Sequence, residues 1–404
     1  MSISSSLSAR RTLGVQLGLG SISAVYEALG RPCASRPTVH VVGTNGKGST
    51  TMLLEHALRG RGLRTGLYTS PHLHRLSERV RVDSQPLGEI PLRAVLDRVL
   101  DVERTVGGPR ALTFFEVLTL AGLLAFEQAE VDVAIVEAGL GGGRDATRVV
   151  SATAVGITSI ALDHEATIGP TLVDIAKEKA GAMALGVPTI SARQDPVVME
   201  VLQAQATALG SPLHWVEALD HPPRGLRGDH QRTNAAVALS LGRRLVRDLD
   251  EQDFDGVVLP GRLECLSRSR GELWLDVAHN PAGMASVAAA ISGGIVPNPH
   301  TVVLGWYDDK DRAGMLDALR MVSARQWWVP PRPRPEGVGP PPPLGMRAFT
   351  DVRDPGLYTA LDTELGAGRR VLCCGSHGVV GAIRAWAHGD STASDAQDPW
   401  PGRP

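Results

Sequence analysis

The segment Thr38–Thr51, TVHVVGTNGKGSTT, limits the possible folds more than any other stretch of the chain. A β-branched run (Val39, Val41, Val42) enters a loop in which Gly43, Gly46 and Gly48 surround Lys47. A Ser-Thr-Thr run and the amphipathic stretch Met52–Leu58 follow, and their spacing predicts a helix. Strand, glycine-rich loop and helix in that order aim backbone N–H groups and a positive helix end at an anion. Lys47 is spaced to reach the terminal phosphates of a nucleotide, and the Ser49 hydroxyl to reach its Mg²⁺. The pattern G-x-x-G-K-G-S departs from the usual G-x-x-x-x-G-K-[ST], so the loop reads as a variant phosphate loop. A glycine-rich βα turn that binds nothing is the alternative.

The same alternation continues downstream. Arg64–Tyr68, Val187–Ser191 and Leu213–Val216 read as strands, and Val131–Glu137 and Ala154–Ile160 are apolar runs that suit buried parallel strands. Leu13–Leu29, Leu92–Glu103, Phe115–Phe126, Thr171–Met183 and Gln231–Leu245 read as helices. A second series starts near Pro260, with strands at Glu272–Asp276, Thr301–Gly305, Gln326–Val329 and Arg370–Cys374. Its helices are expected at Pro281–Ile291, Asp311–Val322 and Val379–Trp386. The predicted fold is therefore α/β: an N-terminal P-loop domain with a doubly wound, mostly parallel sheet (residues 1–258), then a smaller Rossmann-like α/β domain (residues 259–389). Ser70, Glu137 and His164 fall at carboxyl ends of strands, where such sheets bind ligands. The Ser/Arg-rich start MSISSSLSARR reads as a frayed terminus, and residues 390–404 as a disordered tail. Pro330–Pro343, with eight prolines, reads as a solvated connector.

Composition removes several function classes. A balance of 41 basic against 43 acidic residues, net charge −2, provides no field for nucleic acid, and 4% aromatics provide little surface for base stacking. The apolar run Val117–Phe126 is far shorter than the ~20 residues a membrane helix needs. The cysteines Cys33, Cys265, Cys373 and Cys374 have neither zinc nor disulfide spacing, which suits a cytoplasmic protein.

Taken together, a set of ordered motifs resembles the folylpolyglutamate synthase/dihydrofolate synthase family, a branch of the Mur-type ATP-dependent ligases. They are HVVGTNGKGST (40–50), GLYTSPHLHRLSERVRV (66–82), LTFFEVLTLAG (112–122), EAGLGGGRDAT (137–147) and ITSIALDHEATIGPTLVDIAKEKAGAM (157–183). LPGRLE (259–264), LDVAHNPAG (275–283) and VLCCGSHG (371–378) complete the set. The resemblance spans about Leu13 to Ala387. It implies transfer of the ATP γ-phosphoryl group to a substrate carboxylate, followed by attack of the amine of L-glutamate on the acyl phosphate. Such a site must hold several anions together and neutralise them.

The resemblance also implies roles. Thr44, Asn45, Gly46, Lys47, Gly48 and Ser49 would cradle the phosphates, with Asn234, Arg262, Asp276 and His279 also approaching the nucleotide. Ser49, Ser70, Glu137 and His164 would hold Mg²⁺, in two sites, with Lys179 as a further ligand if it is carbamylated. Lys47, His164, Lys179 and Arg262 would carry the catalysis. Leu17, Gly18, Phe114, Phe115, Gly143 and Arg144 would line a pterin pocket. Outside the resemblance each residue has a plainer reading: polar strand-end residues (Glu137, His164), a helix-surface lysine (Lys179), core aromatics (Phe114, Phe115). The family usually carries other residues at Gly143-Arg144 and at Arg148, which bears on pterin specificity more than on ATP chemistry. The expected partners are small molecules, a pterin carboxylate and L-glutamate, acting on a monomer. The competing readings are a Mur-type ligase with another acceptor and a catalytically silent nucleotide-binding subunit.

Overall fold

The computed structural model describes residues 7, 10–14, 16–332, 342–343 and 345–390. The chain builds two sheets. The first contains β1 (Thr38–Val42), β2 (Thr65–Tyr68), β3 (Val80–Val82), β4 (Gln85–Pro86), β5 (Val133–Glu137), β6 (Ala154–Ile157), β7 (Thr189–Ala192) and β8 (Leu213–Val216). Their order is β4-β3-β2-β5-β1-β6-β7-β8. Every pair from β2 to β8 is parallel, and only the β3 and β4 edge is antiparallel. Strands β1, β5 and β6 are buried along their whole length, as parallel strands covered by helices on both faces must be.

Helices Glu89–Val106 and Phe114–Gln128 cover one face with Val99, Leu118 and Phe126. Helices Lys47–Gly60 and His230–Gly242 cover the other with Leu53, Leu54 and Leu241. The ends of these helices are set locally. Thr113 caps Phe114–Gln128, its hydroxyl accepting from the Glu116 N–H while the Glu116 side chain returns to the Thr113 N–H. Thr171 and Asp174 do the same for the helix Leu172–Ala180.

The second sheet contains β9 (Glu264–Arg268), β10 (Gly271–Leu275), β11 (Thr301–Leu304), β12 (Arg325–Trp328), β13 (Arg347–Ala348) and β14 (Arg370–Cys374). Their order is β13-β12-β11-β14-β10-β9, parallel except for β9. Helices Pro355–Gly366 and His377–Ala387 pack on one face and Pro281–Ser292 and Arg312–Ala318 on the other.

Several boundaries differ from expectation. In place of one helix over Leu13–Leu29 there is a 3₁₀ turn at Arg10–Leu13 and a helix at Gly20–Ala28. Gly14 and Gly18 lie between them at positive φ, which breaks helical backbone. The helix expected over Asp311–Val322 is confined to Arg312–Ala318. Helices Pro196–Ala208 and Pro355–Gly366 and strands β3, β4, β9 and β13 were not anticipated. The start of the chain is anchored where it is described: Leu7 is buried, and Arg10 pairs with Glu103 at 2.6 Å. Pro330 and Pro331 are also buried, contrary to a solvated connector. Residues 333–341 of that segment, and 391–404 of the expected tail, lie outside the described residues.

Candidate active site

The loops after β1, β5 and β6 converge on one end of the first sheet and face the second sheet across a cleft. The cleft contains a cavity of about 340 Å³, lined by the phosphate loop, Glu137, His164, Lys179, Asn234, Arg262, Asp276 and His279. That volume is in the range of small-molecule sites.

The phosphate loop is held from below and from the side. Thr44 and Asn45 both donate their backbone N–H to the Ser159 carbonyl, and Thr44 Oγ1 donates to the Ala161 carbonyl at 3.0 Å. Gly46 caps the helix Lys47–Gly60 at φ 93°, a conformation that favours glycine. A Cβ on Gly46 would also collide with Asn234 Oδ1, so the helix His230–Gly242 sits directly against the loop. Gln231 extends this contact, donating from Nε2 to both Ser49 Oγ (3.4 Å) and the His230 ring. Lys47 folds back over the loop, donating from Nζ to the Gly43 and Thr44 carbonyls at 3.2 and 3.1 Å. An incoming anion that draws Lys47 off these carbonyls meets an ammonium already at the loop.

Glu137 ends β5 almost fully buried, at 4% exposure. Burial pushes its carboxyl up, opposed by Lys47, by the Ser70 N–H and by Arg262. The Ser70 N–H donates to Glu137 Oε2 at 3.1 Å, while the Ser70 hydroxyl is buried without a hydrogen-bond partner. Arg262 reaches this point from the second sheet: a Cβ on Gly48 would lie 3.6 Å from Arg262 Nη2 and 3.7 Å from both Glu137 oxygens. Asp276 does not point free into the cleft. Its two oxygens accept the backbone N–H groups of Leu263 (2.9 Å) and Ala278 (2.8 Å), which fixes the turn that presents Arg262.

Lys179, at the end of the helix Leu172–Ala180, is buried and donates to the Gly43 carbonyl at 2.7 Å. Desolvation, and then the nearby Lys47 charge, bring its pKa down to about 7 from an ordinary 10.5. The amine is therefore substantially neutral near physiological pH. It is not the helix-surface lysine that its position alone suggested.

His164 adopts a left-handed backbone (φ 54°), uncommon for a residue other than glycine and of the kind that clusters at functional sites. Its imidazole lies 3.8 Å from Asp163 and 4.0 Å from Asp309 in the loop after β11. Burial, then the adjacent Lys310 charge, lower its pKa to about 3, so the ring is neutral at pH 7. His279 is likewise lowered, to about 4, first by burial and then by Lys310.

No Mg²⁺ is needed to see why the donor set suits one: a buried carboxylate, Glu137, stands beside an unsatisfied hydroxyl, Ser70 Oγ, in the cavity that the Gly43–Ser49 loop also lines. Among the described residues no three His, Cys, Asp or Glu side chains converge as a ready-made metal cage. Mg²⁺ takes one or two protein ligands and completes its shell with water and phosphate, so the two observations agree.

A second cavity, about 270 Å³, shares Gly48, Ser49, Ser70, Glu137, Arg262 and His377 with the first and continues to His72, His74 and Arg81. A third, about 40 Å³, is lined by Leu17, Phe114, Phe115, Gly139 and Leu140. Phe114 is also a core residue, whereas Phe115 packs closely on Gly139. Gly18, Gly143 and Arg144 do not line this cavity. The Gly18 N–H donates to the Arg144 carbonyl, Gly143 packs against the Gly181 backbone, and Arg144 pairs with Glu178 at 2.7 Å.

The sequence reading passed over Asp163, Asn280 and Lys310. Asn280 exchanges amide hydrogen bonds with Asn45 (3.1 and 3.0 Å) and donates to Asp163 Oδ2 at 3.0 Å. Asp163 and Asn280 lie inside two of the motifs, next to His164 and His279. Lys310 sits in the polar run Asp308–Arg312 and carried no signal of its own.

No protein-family model matches the chain. Among curated proteins it is 33% identical over 395 residues to the dihydrofolate synthase/folylpolyglutamate synthase of Escherichia coli, covering 91% of each chain. It is 31% identical over 358 residues to the folylpolyglutamate synthase of Lacticaseibacillus casei, covering 78% of this chain and 82% of that one. Among solved structures, E. coli FolC in complex with DHPP and ADP superposes with a TM-score of 0.83 at 30% identity, covering 96% of this chain and 98% of that one. Mycobacterium tuberculosis folylpolyglutamate synthase complexed with ADP and AMPPCP gives a TM-score of 0.81 at 29% identity, covering 91% and 94%.

Proposed function

The chain belongs to the folylpolyglutamate synthase/dihydrofolate synthase family, and on that premise we propose that it is an ATP-dependent ligase joining L-glutamate to dihydropteroate, to reduced folates, or to both. The observation that carries this reading is the meeting of Glu137 and Arg262 at Gly48, with the Lys47 charge acting on the same carboxylate, in a cleft beside the Phe115 cavity. One cleft then holds the triphosphate, the acceptor carboxylate and the attacking amine, the proximity that a two-step ligation requires.

In the proposed reaction an acceptor carboxylate oxygen attacks the γ-phosphorus of ATP and ADP leaves. The amine of L-glutamate then attacks the acyl phosphate, forming the amide and releasing inorganic phosphate. Lys47 exchanges its hydrogen bonds to Gly43 and Thr44 for the terminal phosphates. Arg262 stabilises charge on the transferring group from the opposite wall. Thr44, Asn45, Gly46, Gly48 and Asn234 shape the nucleotide seat, and the His279 loop closes it from the second sheet. Ser49, Ser70, Glu137 and His164 would hold Mg²⁺, in two sites with Lys179 if that amine is carbamylated. The metal would neutralise phosphate charge. Leu17, Phe114 and Phe115 would receive the aromatic end of the acceptor, the cavity of about 40 Å³ between them widening to admit it, with Gly18, Gly143 and Arg144 shaping the backbone behind it. We place the domain boundary near 258/259, with residues 259–389 forming the glutamate-ligase half.

No described helix is long and apolar enough to cross a membrane. We infer a monomer acting in the cytoplasm on small molecules. The test is ADP release by purified protein given ATP, L-glutamate and, separately, dihydropteroate or tetrahydrofolate. Release that needs both acceptor and glutamate supports the reading. A Mur-type ligase with another acceptor would stay silent with both pterins, and a catalytically silent subunit would bind ATP without turnover.

A further inference from the structure

Lys310 projects from the loop after β11 into the first sheet's half of the cleft. Its ammonium donates to Asp163 Oδ1 at 2.7 Å, with both side chains under a tenth exposed (7% and 8%). Asp163 is a junction. Oδ1 also accepts the His164 backbone N–H at 2.9 Å, and Oδ2 accepts from Asn280 at 3.0 Å and stands 3.7 Å from His279. Lys310 further lies 3.5 Å from His164 Nε2. One carboxylate thus ties together the backbone of His164, the lysine and the Asn280 cap of the helix Pro281–Ser292. Asn280 in turn grips Asn45 of the phosphate loop.

We propose that Lys310 is a positioning residue for the ligase reaction, acting through Asp163 to seat the second sheet's loops on the phosphate loop and to hold His164 in its left-handed backbone. This rests on the reading of the cleft as a ligase site, but the contact itself does not depend on which substrate fills it. A buried ion pair between two halves gives register more than net stability, because desolvation offsets much of its attraction. Its loss therefore changes alignment across the cleft before it changes the fold of either half. Polar contacts that span the cleft beside this pair, Asn45–Asn280 and Asp163–Asn280, keep the halves in reach of each other.

The experiment compares wild type with Lys310→Met, Lys310→Arg, Asp163→Asn and the double variant Lys310→Met/Asp163→Asn. Lys310→Met alone strands a buried carboxylate, so the charge-free double variant is the folding control. Small-angle scattering of the nucleotide-free protein should show a larger radius of gyration for Lys310→Met and for the double variant. Thermal unfolding of the double variant should stay close to wild type. In turnover, kcat should fall about 10-fold or more while KM for ATP changes little, and the double variant should be no worse than Lys310→Met, because the residues act as a unit. Lys310→Arg, which keeps the charge, should recover part of kcat. Unchanged scattering in both Lys310→Met and the double variant would overturn the proposal, as would additive kinetic losses. If the ligase reading itself were wrong, turnover would be absent in wild type while the scattering difference remained.

Discussion

Lys179 places a buried amine in the lining of the cleft. Its pKa of about 7, set by desolvation and by Lys47, leaves a neutral amine at physiological pH, the form that reacts with CO₂. If a carbamate is the working form, Lys179→Ala should lose most activity and recover part of it with added acetate. Lys179→Arg should not recover, because it keeps a positive charge; a fully active Lys179→Arg would mean that only a cation is needed. The stability effect has a definite sign. An unmodified lysine lowered from 10.5 to about 7 binds fewer protons folded than unfolded across that window, so stability should rise with pH from about 7 to 10.5. Lys179→Met should flatten that slope in urea melts taken without added CO₂. Neighbouring groups make separate predictions. Lys47→Ala should lose about 10²–10³ in kcat, as expected when a donor aimed at developing charge is removed. Glu137→Gln and His164→Ala should each raise the Mg²⁺ concentration needed for activity; a pair of variants with wild-type Mg²⁺ dependence would remove the metal assignment. Lys47 and Glu137 were legible because their spacing follows a strand and its loop. Asp163 and Lys310 were not, because what marks them is a contact 147 positions apart that only the fold creates.

Among the elements, the strand, glycine loop and helix around Lys47 were readable from sequence because their local signals all agree. Gly46 shows how narrow that agreement is. Gly46→Ala would need a left-handed alanine and would collide with Asn234 Oδ1, a backbone strain that typically costs about 1–3 kcal/mol. It should reduce ATP affinity at least about 10-fold by displacing the loop, measurable by calorimetry; unchanged affinity would mean that the loop does not seat the phosphates. Other elements were harder. The helix Pro196–Ala208 buries only Val198, Leu202 and Ala206, a thin stripe beside polar Gln and Thr residues. Strands β4 and β13 have two residues each, too short for any periodicity to emerge. The helix expected from Leu13 fails because Gly14 and Gly18 take positive φ. Gly143 was read as a pocket residue, but its proximity to the Gly181 backbone is a packing requirement that no motif spells out.

The loops of the two sheets face each other across the cleft, and residues from both line it. The two α/β series were visible as separate runs of strands and helices, but how their loops interlock was not, since Asn45–Asn280 and Asp163–Lys310 are cross-sheet pairs. Arg262 tests the shared site. If the first sheet's loop seats the nucleotide and the second wall completes the site, Arg262→Ala should keep ATP binding and lose turnover. Loss of binding together with turnover would place Arg262 in the ground-state seat instead. The most direct test of the central claim is a coupled measurement on purified protein with ATP, Mg²⁺, L-glutamate and dihydropteroate or tetrahydrofolate. A glutamate ligase of this mechanism releases one ADP and one phosphate per glutamate joined, and nothing when either acceptor or glutamate is withheld. Steady ADP release without an acceptor, or no glutamate joined to either pterin, would contradict it.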